Sequence, residues 1–128
     1  MRESAVRSAV SNRLRLRGWM VHNVEDRANA GLPDAWAAHA QFGQCWIEFK
    51  RWRRSAMAPS PLRPAQARWM REALLRGVRV VIVSNAPQHG MYAYSAPARG
   101  EVERRWQPDT PHTLDELCAR IEEATRGW

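Results

Sequence analysis

The apolar positions of this chain recur with a helical period first and a strand period next. Val6, Val10 and Leu14 repeat every four residues, with Ala5 and Ala9 beside them and arginines on the other face. That spacing predicts a helix over 2–17, stopped by Gly18. Trp19–Val24 reads as a strand, and residues 25–33 as a loop with turn residues and no apolar period. Strands are predicted over 35–40 and 45–50, joined by Gln41-Phe42-Gly43-Gln44, a connection of hairpin length.

A basic, Pro- and Ser-containing loop is expected over 51–63. Pro64 suits the first turn of a helix that carries Trp69, Ala73 and Leu74 inward and ends at Gly77. Val78–Val83, broken only by Arg79, has the apolar continuity of a central strand, and Met91–Ser95 reads as a further strand. Residues 96–112 form a Pro- and Arg-containing loop. Thr113-Leu114-Asp115-Glu116 is a capping box opening a last helix, whose stripe is Leu114, Leu117, Cys118 and Ile121. That stripe can pack on the sheet or serve a dimer. The order αβββαββα predicts an α/β fold, a mixed sheet flanked by helices. With 128 residues, no repeats and no linker, the expectation is a single domain over 1–128.

Composition narrows the classes. No apolar run reaches the length of a membrane span and the N-terminus has no signal-peptide core, so a cytoplasmic protein without a membrane partner is expected. Cys45 and Cys118 make neither a disulfide framework nor a zinc spacing and are expected to be small buried residues. His22, His39, His89 and His112 form no metal or triad pattern. The net charge of +7 suits an anionic partner, which becomes informative only around a chemical site. Of the 20 basic residues, 19 are arginine, and the one lysine is Lys50. Arginine holds its proton and has a broad planar head, whereas lysine carries a compact, tunable charge. A chain biased to arginine that keeps one lysine points to a position where only lysine works.

That lysine ends the strand Cys45-Trp46-Ile47-Glu48-Phe49-Lys50. Alternation sends Ile47 and Phe49 to the core and puts Glu48 and Lys50 on the other face, about 6–7 Å apart. The hairpin folds Asp34, at the start of the preceding strand, toward Glu48. Two converging carboxylates repel unless a positive charge lies between them, and a hard cation such as Mg²⁺ meets that need with oxygen ligands. Such a cation activates water against phosphate, and Lys50 can stabilise the developing charge. Taken alone, Glu48 and Lys50 also fit an exposed strand face with an ion pair of little worth.

Gly31-Leu32-Pro33-Asp34, Trp46-Ile47-Glu48-Phe49-Lys50 and Gln66-Ala67-Arg68-Trp69 together resemble the PD-(D/E)XK nuclease superfamily. The likeness is closest to its VRR-NUC branch and to phage and archaeal Holliday-junction resolvases, and it covers residues 2–84. It implies a restriction-endonuclease-like sheet and a DNA endonuclease using Mg²⁺ or Mn²⁺. Asp34 and Glu48 would bind metal with the carbonyl of Phe49, and Glu3 would complete the shell. Lys50 would be catalytic, and Gln66 would orient a ligand or the lysine. Glu3 equally fits a helix-dipole role, and Gln66 a solvent-facing helix position. Arg51, Trp52, Arg53 and Arg54 directly follow the strand and are the expected nucleic-acid contacts, the tryptophan for stacking and the arginines for phosphate. The small resolvases imply branched or flapped DNA and a homodimer. A sequence-specific restriction-type enzyme, a catalytically silent nucleic-acid-binding module and a structural phage protein are the competing expectations.

Overall fold

The computed structural model describes residues 3–24, 31–53, 58–59, 61–86, 91–97, 99–100 and 112–126. The elements are α1 (Glu3–Leu16), β1 (Met20–Asn23), β2 (Ala35–His39), β3 (Gly43–Lys50), β4 (Trp52–Arg53), β5 (Ala58–Pro59), α2 (Pro64–Leu75), β6 (Val80–Ala86), β7 (Met91–Ser95) and α3 (Leu114–Arg126). The mixed α/β class agrees with expectation. The order αβββαββα needs a correction: β4 and β5 pair as a separate two-stranded sheet inside the segment read as loop.

The main sheet has the order β1-β2-β3-β6-β7. Its β1–β2–β3 meander and its β6–β7 pair are antiparallel, and β3 runs parallel to β6. A parallel pair needs a long crossover, and α2 lies on it.

Alternation along the two central strands divides the core. Ile47, Phe49, Val81 and Val83 join Val6, Val10 and Leu14 of α1 and Leu117, Cys118 and Ile121 of α3. Val80 and Ile82 meet Met70 and Leu74 of α2, with Trp46 and Trp69 packed alongside in an edge-on contact. The α3 stripe is therefore spent on the core, which removes it as a dimer surface. Cys45 and Cys118 are free and buried, and burial pushes each thiol up to about 11. No described helix is long and apolar enough to cross a membrane.

Helix ends follow local chemistry. The amide of Gly18 bonds to Arg15 and that of Trp19 to Leu14, a Schellman closure that places Gly18 at φ 91°. At α3, Thr113 Oγ1 accepts from the Glu116 amide at 3.2 Å, the N-cap half of the expected capping box, and its hydroxyl donates to Glu116 Oε1 at 3.0 Å.

One buried charge ties these parts together. Glu122 on α3 accepts from Arg17 Nη2 at 2.6 Å, from Arg17 Nε at 3.1 Å and from Trp19 Nε1 at 3.1 Å. The Arg17 bonds, reinforced by Trp19 and opposed by burial, hold this carboxyl below its usual range. A depressed folded pKa adds stability above the ordinary carboxylate range, and that stability is lost as pH falls through the folded pKa. Glu122→Gln should cost about 2–3 kcal/mol at pH 7, and the gap to the native chain should narrow at a second, acid pH. Urea melts at the two pH values check this, and a gap that stays constant with pH contradicts it.

Candidate active site

The site forms at the end of the sheet where β3 leaves β2. The amide of Trp46 bonds to the carbonyl of Arg79 at 2.8 Å, so the even-numbered residues of β3 turn their backbone groups to β6. Phe49, an odd one, turns its backbone groups toward the β2 side. The last β2–β3 pair is Ala35 with Ile47. One further step of that register sets Asp34 opposite Glu48, beyond the end of β2 and on the same face.

Asp34 is held from both sides. Its carbonyl accepts from the Val24 amide at 2.8 Å, and its Oδ2 accepts from the Phe49 amide at 2.8 Å. The carboxylate thus takes the place of the next β2 residue in the ladder. Its other oxygen, Oδ1, lies 3.2 Å from Nη2 of Arg7, and the Arg7 guanidinium stands 5.8 Å from the centroid of the Phe49 ring.

Glu48 is 2% exposed. Its Oε2 accepts from Gln66 Nε2 at 2.6 Å and lies 3.1 Å from Lys50 Nζ. Its Oε1 is buried and has no hydrogen-bond partner among the described residues. Burial, and then the negative charge of Asp34, push the Glu48 carboxyl up to about 7 against the pull of Lys50. The two carboxylates are near enough for the charge of Asp34 to act on Glu48.

Lys50 donates to Gln66 Oε1 at 2.7 Å, and the same oxygen accepts from the Arg63 amide at 3.1 Å. Both neighbours can only donate, so the amide oxygen of Gln66 must face them. Its NH₂ is thereby turned onto Glu48. Gln66 is buried at the third position of α2, so the solvent-facing alternative is excluded. Pro64 and the α2 crossover deliver this glutamine to the strand that precedes them.

Gly31 explains the close seating of the Asp34 loop. A Cβ there would stand 2.7 Å from the carbonyl oxygen of Ala65 and 3.1 Å from the Cβ of Trp69. Only glycine lets this loop lie on the first turn of α2. Gly31→Ala should cost about 1–3 kcal/mol by forcing the loop off the helix. A free energy of urea unfolding unchanged within about 0.5 kcal/mol would show that the loop has room to spare.

The remaining expected residues are distributed unevenly. The Phe49 side chain is buried in the core, while its backbone faces the Asp34 side. Arg51 is exposed directly after Lys50. Trp52 and Arg53 form β4, but their side chains, that of Glu3 at the start of α1, and Arg54 altogether lie outside the described residues. Among the described residues no three His, Cys, Asp or Glu side chains group as a metal cage. The carboxylates that meet here among the described residues are Asp34 and Glu48.

Two residues at the site were not expected. Arg7 belongs to the face of α1 read as an outward arginine surface. Its one sequence signal is its place one turn after Glu3. Ser84 pairs with Lys50 across β3 and β6 and shares its face; it is fully buried, with Oγ lacking a hydrogen-bond partner among the described residues. Its only signal was a polar residue closing an apolar run.

No protein-family model matches this sequence, and no curated protein matches it.

Proposed function

We propose that this chain is a divalent-metal-dependent DNA endonuclease of the PD-(D/E)XK type, with a restriction-endonuclease-like sheet, acting on branched or flapped DNA. One arrangement carries the reading: Asp34 and Glu48 opposite each other at the sheet end, with Lys50 bonded beside them. The buried, unsatisfied Oε1 of Glu48 fits a cation ligand, because an orphaned carboxylate oxygen is costly otherwise. Asp34, Glu48 and the carbonyl of Phe49 would hold Mg²⁺ or Mn²⁺, and Glu3 begins the helix whose next turn carries Arg7. A hard cation bound there would supply an activated water and polarise the phosphate.

The chain's own residues do the rest. Gln66 fixes the Lys50 ammonium between its own oxygen and Glu48, so the charge is set before substrate arrives. That ammonium is placed to stabilise negative charge developing on phosphorus. Arg51 and the basic residues Arg53 and Arg54 would track the backbone, with Trp52 offered for stacking. Arg68 and Arg71 are exposed on α2 and add to the basic surface of the chain. The net charge of +7 favours such a partner. A homodimer able to cut two strands would need a surface other than the α3 stripe.

The test is a cleavage panel of Holliday junction, flap, single strand and plain duplex, each with Mg²⁺, Mn²⁺ or EDTA. Cleavage is expected with either cation and not in EDTA, strongest on branched or flapped substrates. Asp34→Asn should lose at least about 100-fold in cleavage while keeping DNA binding. Full activity in Asp34→Asn removes the metal assignment. Binding without cleavage by the native chain leaves the silent binding module in its place.

A further inference from the structure

We propose that Arg7 is the internal counter-ion of the site: its guanidinium competes with the divalent cation for Asp34 and so sets the cation affinity. This rests on the metal-site reading above. Each carboxylate at the sheet end has its own positive partner. Glu48 is matched by Lys50 with Gln66 between them, on the α2 side. Asp34 is matched by Arg7, which comes from α1 on the opposite side. The two compensations differ in what remains free. Lys50 and Gln66 both use Oε2 of Glu48, leaving Oε1 open. On Asp34, Oδ2 is committed to the Phe49 amide, and Arg7 takes Oδ1. A cation ligated by Asp34 through Oδ1 therefore meets a guanidinium on the same oxygen.

Arg7 is also built to let go. Its closest approach to Asp34 is 3.2 Å, through Nη2, longer than the about 2.7–2.9 Å of a tight charged hydrogen bond. Its guanidinium lies over the Phe49 ring, which holds a cation whether or not Asp34 is bound to it. The side chain is about one-third exposed, so it can shift without burying an unmatched charge. A positive charge beside a cation site lowers the affinity for that cation, and two positive groups seeking one oxygen are linked reciprocally. The fold gains a neutralised Asp34 when no cation is bound and gives up cation affinity in return.

The experiment is a Mn²⁺ titration of the full chain without DNA, by calorimetry or by the loss of the free-ion spin signal, so that catalysis plays no part. Arg7→Gln should bind Mn²⁺ with a Kd about tenfold lower than the native chain, and Arg7→Lys should fall between. Arg15→Gln, two turns along α1, removes the same charge away from Asp34 and should change the Kd less than about twofold. In Asp34→Asn, adding Arg7→Gln should gain nothing, because the pair is already broken. Thermal unfolding in EDTA confirms that each variant is folded. If the native chain and every Arg7 variant bind no Mn²⁺, the metal-site reading itself fails. If the native chain binds and Arg7→Gln binds equally or more weakly, or if Arg15→Gln gives the same gain, Arg7 is not the competitor and the metal site stands without it.

Discussion

Glu48→Gln should raise the melting temperature of the cation-free protein at pH 8 and abolish the stabilisation that Mg²⁺ or Mn²⁺ gives the native chain. The cause is a carboxylate whose surroundings disfavour its charge. Burial comes first and the charge of Asp34 second, and together they push the Glu48 carboxyl from 4.5 up to about 7. A folded pKa above the unfolded one means that the native state prefers the proton. Its stability contribution is complete below about pH 4.5, falls as pH rises toward 7, and is gone above that. The charge then costs the native state on the order of 3 kcal/mol, or a rise of several degrees when it is removed. Glutamine keeps an oxygen for Gln66 and Lys50 while shedding the charge. The stabilisation by cation in the native chain should grow over the same pH window, since a bound cation prefers the ionised carboxylate. Differential scanning fluorimetry at pH 5.5 and pH 8, with EDTA or with Mn²⁺, reads both effects. A Glu48→Gln variant that melts below the native chain at pH 8 in EDTA would make this carboxylate a structural acceptor, not a strained ligand.

The effect also separates the two buried acids. Glu122 is held below the usual range by Arg17 and loses stability in acid, whereas Glu48 loses it as pH rises. Both are glutamates with little exposure. Two things differ: Glu48 is more deeply buried and has another carboxylate nearby, which together outweigh the pull of Lys50, whereas Glu122 has a guanidinium bonded through two nitrogens.

That contrast bears on what was legible in the sequence. Periodicity found the elements, because Val6, Val10 and Leu14 on α1 and the alternation of β3 record which side meets the core. It also brought Asp34 to Glu48, since a hairpin of known phase needs only counting. It misplaced boundaries that pairing and caps decide. Strand β3 begins at Gly43, not Cys45, because His39 across the turn gives Gly43 a partner. Strand β6 begins at Val80 because the Val78 amide is used to close α2 on the carbonyl of Ala73. The small β4–β5 pair lay hidden in a segment whose prolines and serines suggested only a loop. Gln66 was ambiguous because helix phase relative to another strand is a tertiary fact; its bonds to Lys50 and Glu48 resolve it. Arg7 was invisible for a related reason. A helical wheel says which side faces out, not that the outer side of α1 reaches over the end of the sheet to Asp34.

Lys50→Arg should lose cleavage nearly as completely as Lys50→Ala, by about 10²–10³-fold, with DNA binding and folding retained. If positive charge were the whole requirement, arginine would rescue, and a chain this rich in arginine would have no need of its single lysine. The surroundings argue for shape. Lys50 Nζ sits 2.7 Å from Gln66 Oε1 and 3.1 Å from Glu48 Oε2, and its side chain is only 11% exposed. A compact ammonium can donate to both and still present a third proton. A guanidinium spreads its donors in a fixed plane and needs more room than a slot walled by β3, α2 and the buried Ser84 provides. It would either push Gln66 off Glu48, leaving a buried carboxylate without its donor, or swing outward and leave the reacting phosphate without its charge. Single-turnover cleavage of a branched substrate with Mn²⁺ separates these variants from any change in product release. Retention of more than about a tenth of native activity by Lys50→Arg would reduce the role of this side chain to charge alone and would empty the one-lysine composition of meaning.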